Sequence, residues 1–166
     1  MRFKVGDYVV HPSHGVGYIV KLDKRGFSDQ ETRLYYEIST EKSTVWIPVE
    51  DYQSIGLRYL TTKSELARYR SLLKSPPADL DKNFRKRQLE FADRLREGTF
   101  QVVCEIVRDL TALSWRRQLS EGDSTWLRKA RYALYQEWAA ASGISQQEAV
   151  QEIDTLLMEA RKQYAS

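Results

Sequence analysis

Ile55-Gly56-Leu57-Arg58-Tyr59-Leu60-Thr61-Thr62-Lys63-Ser64-Glu65 is where the reading of the fold turns. Upstream of it, apolar residues come in short β-rich runs. Downstream, they recur at helical spacing. Ile55-Gly56-Leu57-Arg58 reads as a last short strand. Thr62-Lys63-Ser64-Glu65 is a capping box, in which Thr62 accepts from the Glu65 amide while the Glu65 carboxylate reaches back. The pattern places one domain over residues 1–60 and a second over residues 61–166.

Working towards the N-terminus, Val45-Trp46-Ile47-Pro48-Val49 is a strand whose Pro48 marks an edge or an end. Leu34-Tyr35-Tyr36-Glu37-Ile38 is another. Val16 to Lys21 forms a third after Gly15, with Gly26 read as a turn, and Tyr8-Val9-Val10 a fourth. Short strands separated by Gly, Asp and Ser indicate a small SH3-like or Tudor-like β-barrel. Towards the C-terminus, a short helix should run to about Lys74 and stop at Ser75-Pro76-Pro77, a stiff linker near residues 75–79. A helix follows from about Leu80 to Glu97, with Gly98 as its C-cap. The next runs from about Thr99 to Trp115 and aligns Val103, Ile106, Val107, Leu110 and Leu113 on one face. A third begins near Asp123 or Ser124, turns Leu127, Ala130, Leu134 and Trp138 inward, and ends at Gly143. The last opens with a second capping box, Ser145-Gln146-Gln147-Glu148, and carries Val150, Ile153 and Leu157. The fold class is therefore α+β: a small β-barrel followed by an all-α domain.

The 166 residues are 42% hydrophobic, enough for buried cores. No apolar run approaches the ~20 residues that span a bilayer, and Met1 to Asp7 lacks the apolar stretch of a signal peptide. A cytoplasmic protein is expected. One cysteine, Cys104, excludes an internal disulfide framework and a multi-cysteine metal site. Net charge is only +3, but its distribution matters. Residues 1–60 carry eight basic and eight acidic side chains; residues 61–166 carry eighteen and fifteen. Any phosphate-binding role belongs to the second part.

Catalytic constellations are scarce. His11 and His14 form an H-x-x-H pair with no third ligand nearby, which fits a turn better than a metal site. Cys104 lies beside an apolar helix face and reads as an inert thiol. Gly15-Val16-Gly17 is an incomplete dinucleotide fingerprint between strands, and no nucleophile elbow or Walker loop is present. An enzyme is the weaker class, and no cofactor, metal or small-molecule substrate is expected. Binding features are better represented. Lys82, Arg85, Lys86 and Arg87 fall in a six-residue window without an anion. At a helix start these cations oppose the macrodipole, so helix stability does not explain them, whereas a phosphate partner would. Arg128-Lys129-x-Arg131 is a second cluster. Phe84 admits two readings: a wedge amid the basic patch, or a core residue on the stripe Leu80, Phe84, Phe91 and Leu95. Trp115, Trp126 and Trp138 read as packing residues.

The opening Phe3-Lys4-Val5-Gly6-Asp7-Tyr8-Val9-Val10-His11-Pro12-Ser13-His14-Gly15-Val16-Gly17 resembles the start of the CarD/CdnL transcription regulators, a domain shared with the transcription-repair coupling factor. Val45 to Glu50 and Ile55 to Arg58 look like its later strands. Glu105 to Leu110 and Leu127 to Arg131 resemble the family's helical region. The resemblance implies a Tudor-like domain that binds the RNA polymerase β subunit by strand-edge contact and basic side chains. The matching residues are Lys24, Arg25, Val45, Trp46, Ile47, Pro48 and Glu50. Trp46 stands where relatives often place an Arg. The resemblance also implies that the helical domain binds promoter DNA at the upstream edge of the bubble and stabilises the open complex. Phe84, fourteen residues before Gly98, takes the place of a minor-groove Trp. Lys82, Arg85, Lys86, Arg87, Lys129 and Arg131 would contact phosphates, and the protein would associate with the nucleoid through the polymerase.

Two other readings stay open on the sequence. One is an SH3-like adaptor whose helices bind protein and which has no DNA role. The other is a small enzyme, for which His11 and His14 are the only offered chemistry.

Overall fold

In the computed structural model, which describes residues 2–28 and 31–165, the chain divides into two units, Met1–Leu60 and Thr61–Ser166. The first is an antiparallel sheet of five strands: β1 (Tyr8–His11), β2 (Gly15–Ser28), β3 (Glu31–Thr40), β4 (Thr44–Pro48) and β5 (Arg58–Tyr59), in the order β4-β3-β2-β1-β5. A one-turn helix, α1 (Tyr52–Ile55), lies between β4 and β5. Alternation turns Val9, Ile19, Tyr36, Ile38 and Ile47 inward, where all five are buried. Phe3 is the ring they close on. It meets Tyr36 of β3 at 5.5 Å, Tyr52 of α1 at 5.5 Å and Tyr59 of β5 at 4.9 Å, each edge to face. Strands that are not neighbours in the sheet thus converge on one side chain, so the sheet is rolled around its core as a Tudor-like fold requires.

β2 and β3 are longer than their apolar runs suggested. Lys21 and Arg25 of β2 both pair with Glu37 of β3, each at 3.8 Å. Cross-strand charge carries these strands past the point where hydrophobicity fades. Gly26 therefore lies inside β2 rather than in a turn. The connection passes through residues 29 and 30, outside the described residues. Ile55-Gly56-Leu57 is likewise not a strand: α1 ends there on Gly56, at φ +89°. The last strand shrinks to Arg58 and Tyr59, which pair with Val10 and Val9. Gly17 is needed for approach rather than for a turn, since a Cβ there would sit 2.7 Å from the Ser39 carbonyl oxygen on β3.

The second unit holds α2 (Leu66–Leu73), α3 (Phe84–Glu97), α4 (Phe100–Arg116), α5 (Glu121–Ser142) and α6 (Gln146–Tyr164). Local chemistry sets each start. Asn83, Thr99, Ser120 and Ser145 cap α3 to α6, each side chain accepting from the third amide along. The Ser145–Glu148 capping box forms in full. So does the Thr62–Glu65 box, at 3.3 and 3.1 Å, but it closes a turn that leads into α2 rather than the helix itself. α3 begins at Phe84 and not near Leu80, because Asp81 accepts from the Asn83 amide and turns the chain just before the cap. α5 begins earlier than Asp123, on the Ser120 cap.

The expected stripes pack as the core. Val103, Ile106, Val107, Leu110 and Leu113 of α4 are buried, as are Leu127, Ala130, Leu134 and Trp138 of α5. Ile153 and Leu157 of α6 join them, while Val150 is half-buried. Cys104 is buried among them. The Ser75-Pro76-Pro77 segment is pinned within this unit. Ser75 accepts from Arg108 Nη1 at 2.9 Å, and the Ala78 amide donates to Asp109 at 3.0 Å. It is an internal connector, and the boundary between units falls at Leu60 and Thr61. There the Thr61 amide and hydroxyl both donate to the buried Glu137 carboxylate, at 3.1 and 2.6 Å. Among the described residues, no helix is long and apolar enough to cross a membrane.

His11 closes the β1–β2 turn, where its Nδ1 accepts the amides of Ser13 and His14 at 3.0 and 3.2 Å. Burial and the neighbouring His14 hold His11 down to about 4, against 6.5 for a free imidazole. The unfolded chain therefore takes up a proton that the folded turn refuses. This contribution to stability is whole above about pH 6.5 and is lost as pH falls towards about 4. His11→Asn keeps a turn acceptor without the titration. Urea unfolding across that window should show a shallower loss of stability in the variant; equal slopes would mean that the turn does not carry this linkage.

Candidate nucleic-acid interface and sheet edge

The first turn of α3 presents a hydrophobic ring inside a cationic rim. Phe84, the first helical residue, is 51% exposed. Lys82, Arg85 and Lys86 around it are exposed and form no ion pair among the described residues. Leu89 lies one turn on from Arg85 and is 62% exposed. Leaving a Phe half in water forgoes on the order of 1 kcal/mol of burial. Phe84 thus sits outside the core stripe that its spacing allowed. Phe91 is fully buried, and Leu80 and Leu95 pack partly against the core.

Arg87 differs from the other cations of its window. Its side chain is 6% exposed and meets the fully buried Asp123 of α5 as a fork, Nε to Oδ1 at 3.0 Å and Nη2 to Oδ2 at 2.9 Å. Nη1 donates to the Asp81 carbonyl at 2.8 Å, so the same guanidinium holds the turn before the helix. Burial pushes the Asp123 carboxyl up, but hydrogen bonds from Arg87, Ser120 and Gln88 overcome it and hold the group below its ordinary range. Gln88 completes the layer. Its Nε2 donates to Asp123 at 2.8 Å, and its Oε1 accepts from Trp126 Nε1 at 2.8 Å. Arg87 was expected to contact phosphate; its donors are committed to the protein interior instead, because a buried carboxylate needs a charged fork more than solvent does.

The second cluster divides similarly. Lys129 is exposed, with its ammonium 5.0 Å from the Trp126 ring centroid. Arg131 is half-buried, its Nη2 3.5 Å from the Thr111 hydroxyl and its Nε shut away from solvent without a partner. Of the six cations that the resemblance assigns to phosphate, Lys82, Arg85, Lys86 and Lys129 are therefore the exposed ones, and Arg128 beside Lys129 is exposed as well. Asp123, Gln88 and Trp126 had no signal in the sequence that tied them to Phe84, since Arg87 and Asp123 lie 36 residues apart.

In the other unit, β4 pairs with β3 alone among the described residues, so its far side carries backbone groups outside that ladder. Val45 and Ile47 turn towards the core and Ile47 is buried, leaving Trp46 and Pro48 on the outer face. Trp46 Nε1 donates to Glu37 at 3.2 Å, and the Arg25 guanidinium lies 4.5 Å from its ring centroid. A cation thus sits on the aromatic that stands at the expected Arg position. Lys24 is exposed. Glu50 is exposed and takes Arg33, which also binds Asp51 at 3.1 Å. The role of Arg33 was not legible in the sequence.

No group of three or more His, Cys, Asp or Glu that could hold a metal occurs among the described residues. His11 already spends Nδ1 on its turn.

Residues 3–60 match the family model of the CarD-like/TRCF RID domain, and residues 69–154 match that of the CarD C-terminal domain. The chain belongs to the CarD family. The "Putative transcription factor YdeB" of Bacillus subtilis (strain 168) is a curated relative, 25% identical over 147 residues, which cover 88% of this chain and 96% of the relative. A transcription-related role follows. In this CarD-family chain the first match ends at the boundary of the β unit, and the second contains α3, α4, α5 and the Arg87–Asp123 pair.

Removing one partner of that pair strands a buried charge. Arg87→Ala should cost about 3–5 kcal/mol in urea unfolding, whereas Lys86→Ala one residue earlier should lie within about 0.5 kcal/mol of wild type. Similar small costs for both would show that the pair does not anchor α3.

Proposed function

We propose that this CarD-family protein tethers itself to the RNA polymerase β subunit through its β unit and binds upstream promoter DNA through α3, stabilising the open complex. The observation that carries the reading is Phe84: a half-exposed aromatic at a helix start, among Lys82, Arg85 and Lys86, which find their counter-charge nowhere in the described protein. Cations at a helix N-terminus are unfavourable for the helix and favourable beside phosphate. An apolar ring among them suits the edge of a melted duplex, where bases are already partly unstacked. Phe has no hydrogen-bond donor on its ring, so this contact favours unstacking over base identity. Lys129 adds a phosphate contact, and all four cations position without reading sequence.

The polymerase contact rests on the β4 edge. A strand of the β subunit would pair with the backbone of Thr44 to Ile47, since Pro48 has no N–H to give. Trp46 with Arg25 upon it, together with Lys24 and Glu50, would set side-chain specificity. Two modest contacts in one chain raise each other's effective concentration. A preference for the open over the closed promoter of ~1.4 kcal/mol shifts their ratio tenfold. Only that difference in affinity acts on transcription.

The test uses the full chain, purified polymerase and a promoter fragment. Trp46→Ala should weaken capture of the β subunit. Phe84→Ala should shorten open-complex lifetime with the melting temperature unchanged. Each of Lys82→Ala and Lys86→Ala should lower the salt dependence of DNA binding by about one unit of slope. A chain with no affinity for polymerase or DNA would instead be an adaptor that binds other proteins.

A further inference from the structure

Gly122 lies in the first turn of α5, where no backbone conformation demands a glycine. The reason for it lies across the helix interface. A Cβ there would stand 2.8 Å from Gln88 Oε1, 3.1 Å from Gln88 Cδ and 3.0 Å from Phe84 Cζ. The Phe84 ring is therefore seated on a glycine. Its other support is Arg87, whose guanidinium lies 5.5 Å from the ring centroid. Gln88 has little freedom to yield, since it is held at both ends by Trp126 and Asp123. A side chain at position 122 has to push the ring aside or break that layer.

We propose that Gly122 is a positioning residue: by leaving room for the tip of the Phe84 ring beside the Arg87–Asp123–Gln88–Trp126 layer, it fixes the direction in which the exposed ring projects from the protein. The proposal rests on the reading of Phe84 as the DNA-contacting wedge and deepens it. The ring is half in water yet backed on its inner edge by a fork that is itself immobilised. Such preorganisation spares the ordering cost that a free aromatic would meet on entering a base step. The buried network thus supports binding without touching the nucleic acid.

Gly122→Ala separates positioning from stability, because the two effects have opposite signs. Ala is the better helix former by about 0.5–1 kcal/mol, and a clash with Phe84 would offset that gain. The experiment measures four full-chain proteins: wild type, Gly122→Ala, Phe84→Leu and the double variant. Each is titrated onto a plain duplex and onto a duplex that carries a short unpaired bubble, with melting temperature recorded in parallel. Leu lacks the atom at the ring tip and so removes the contact between the new methyl and Phe84, while the contact with Gln88 is the same in both backgrounds. Gly122→Ala should reduce the preference for the bubble several-fold while leaving plain-duplex binding, which the exposed lysines supply, unchanged. In the double variant the preference should equal that of Phe84→Leu alone, the non-additivity expected when one residue acts through another. If Gly122→Ala melts early and the double variant does not, the clash through Phe84 is confirmed by stability. Unchanged bubble preference in folded Gly122→Ala, or additive losses in the double variant, would overturn the positioning role. If Phe84→Ala, run alongside, leaves bubble preference intact, the wedge reading falls first and takes this role with it.

Discussion

The fork between Arg87 and Asp123 is the interaction on which the helical unit's candidate surface depends. Two charges placed out of water cost several kcal/mol each unless every donor and lone pair is met. Here Arg87 reaches both carboxylate oxygens and the Asp81 carbonyl, and Asp123 takes Gln88 and the Ser120 cap as well. These bonds lock the start of α3 to the start of α5 and fix the turn before α3. The exposed part of α3 then stands on an element with little freedom. A partner docking on it would meet a surface with less conformational entropy left to lose.

The two cationic clusters show how a fold sorts like charges by environment. Arg87 is separated from Lys86 by one bond of backbone, yet one is buried and paired and the other is exposed. Arg131 and Lys129 repeat the contrast on α5. One arginine of each cluster goes inward, Arg87 fully and Arg131 in part, as a planar, weakly hydrated group with several donors can, while Arg85 and Arg128 stay exposed. Lysine stays in water, where its compact ammonium is strongly hydrated. The β unit uses a related device at its edge: Arg25 lies over Trp46 and beside Glu37, so the outer face of β4 carries an aromatic with a cation already in place.

Much was written in local chemistry. The helix cap Ser145, the stops at Gly98 and Gly143, and the core stripes of α4 and α5 follow from spacing and from hydrogen-bonding groups next to one another in the chain. The alternation that buries Val9, Ile38 and Ile47 is similarly short-range. Strand lengths were less legible. β2 and β3 continue on cross-strand charge pairs, and a pair such as Lys21 with Glu37 exists only once the register is set. The start of α3 was hidden for a related reason, since Asp81 and Asn83 compete with the helix for the backbone.

The sequence by itself determined the division into a rolled sheet and a helical unit, the identity of the buried stripes and the family. It also placed Phe84 amid basic residues. It did not decide which of those residues face solvent. Periodicity put Phe84 on the same stripe as Phe91, and composition made Arg87 equal to Lys86. Only the packing of α3 against α5 separated them, by bringing Asp123 to Arg87 and Gly122 to Phe84 from more than thirty positions away. Burial of a charge and room for a ring are properties of a neighbour across space, and a linear pattern carries no term for that neighbour.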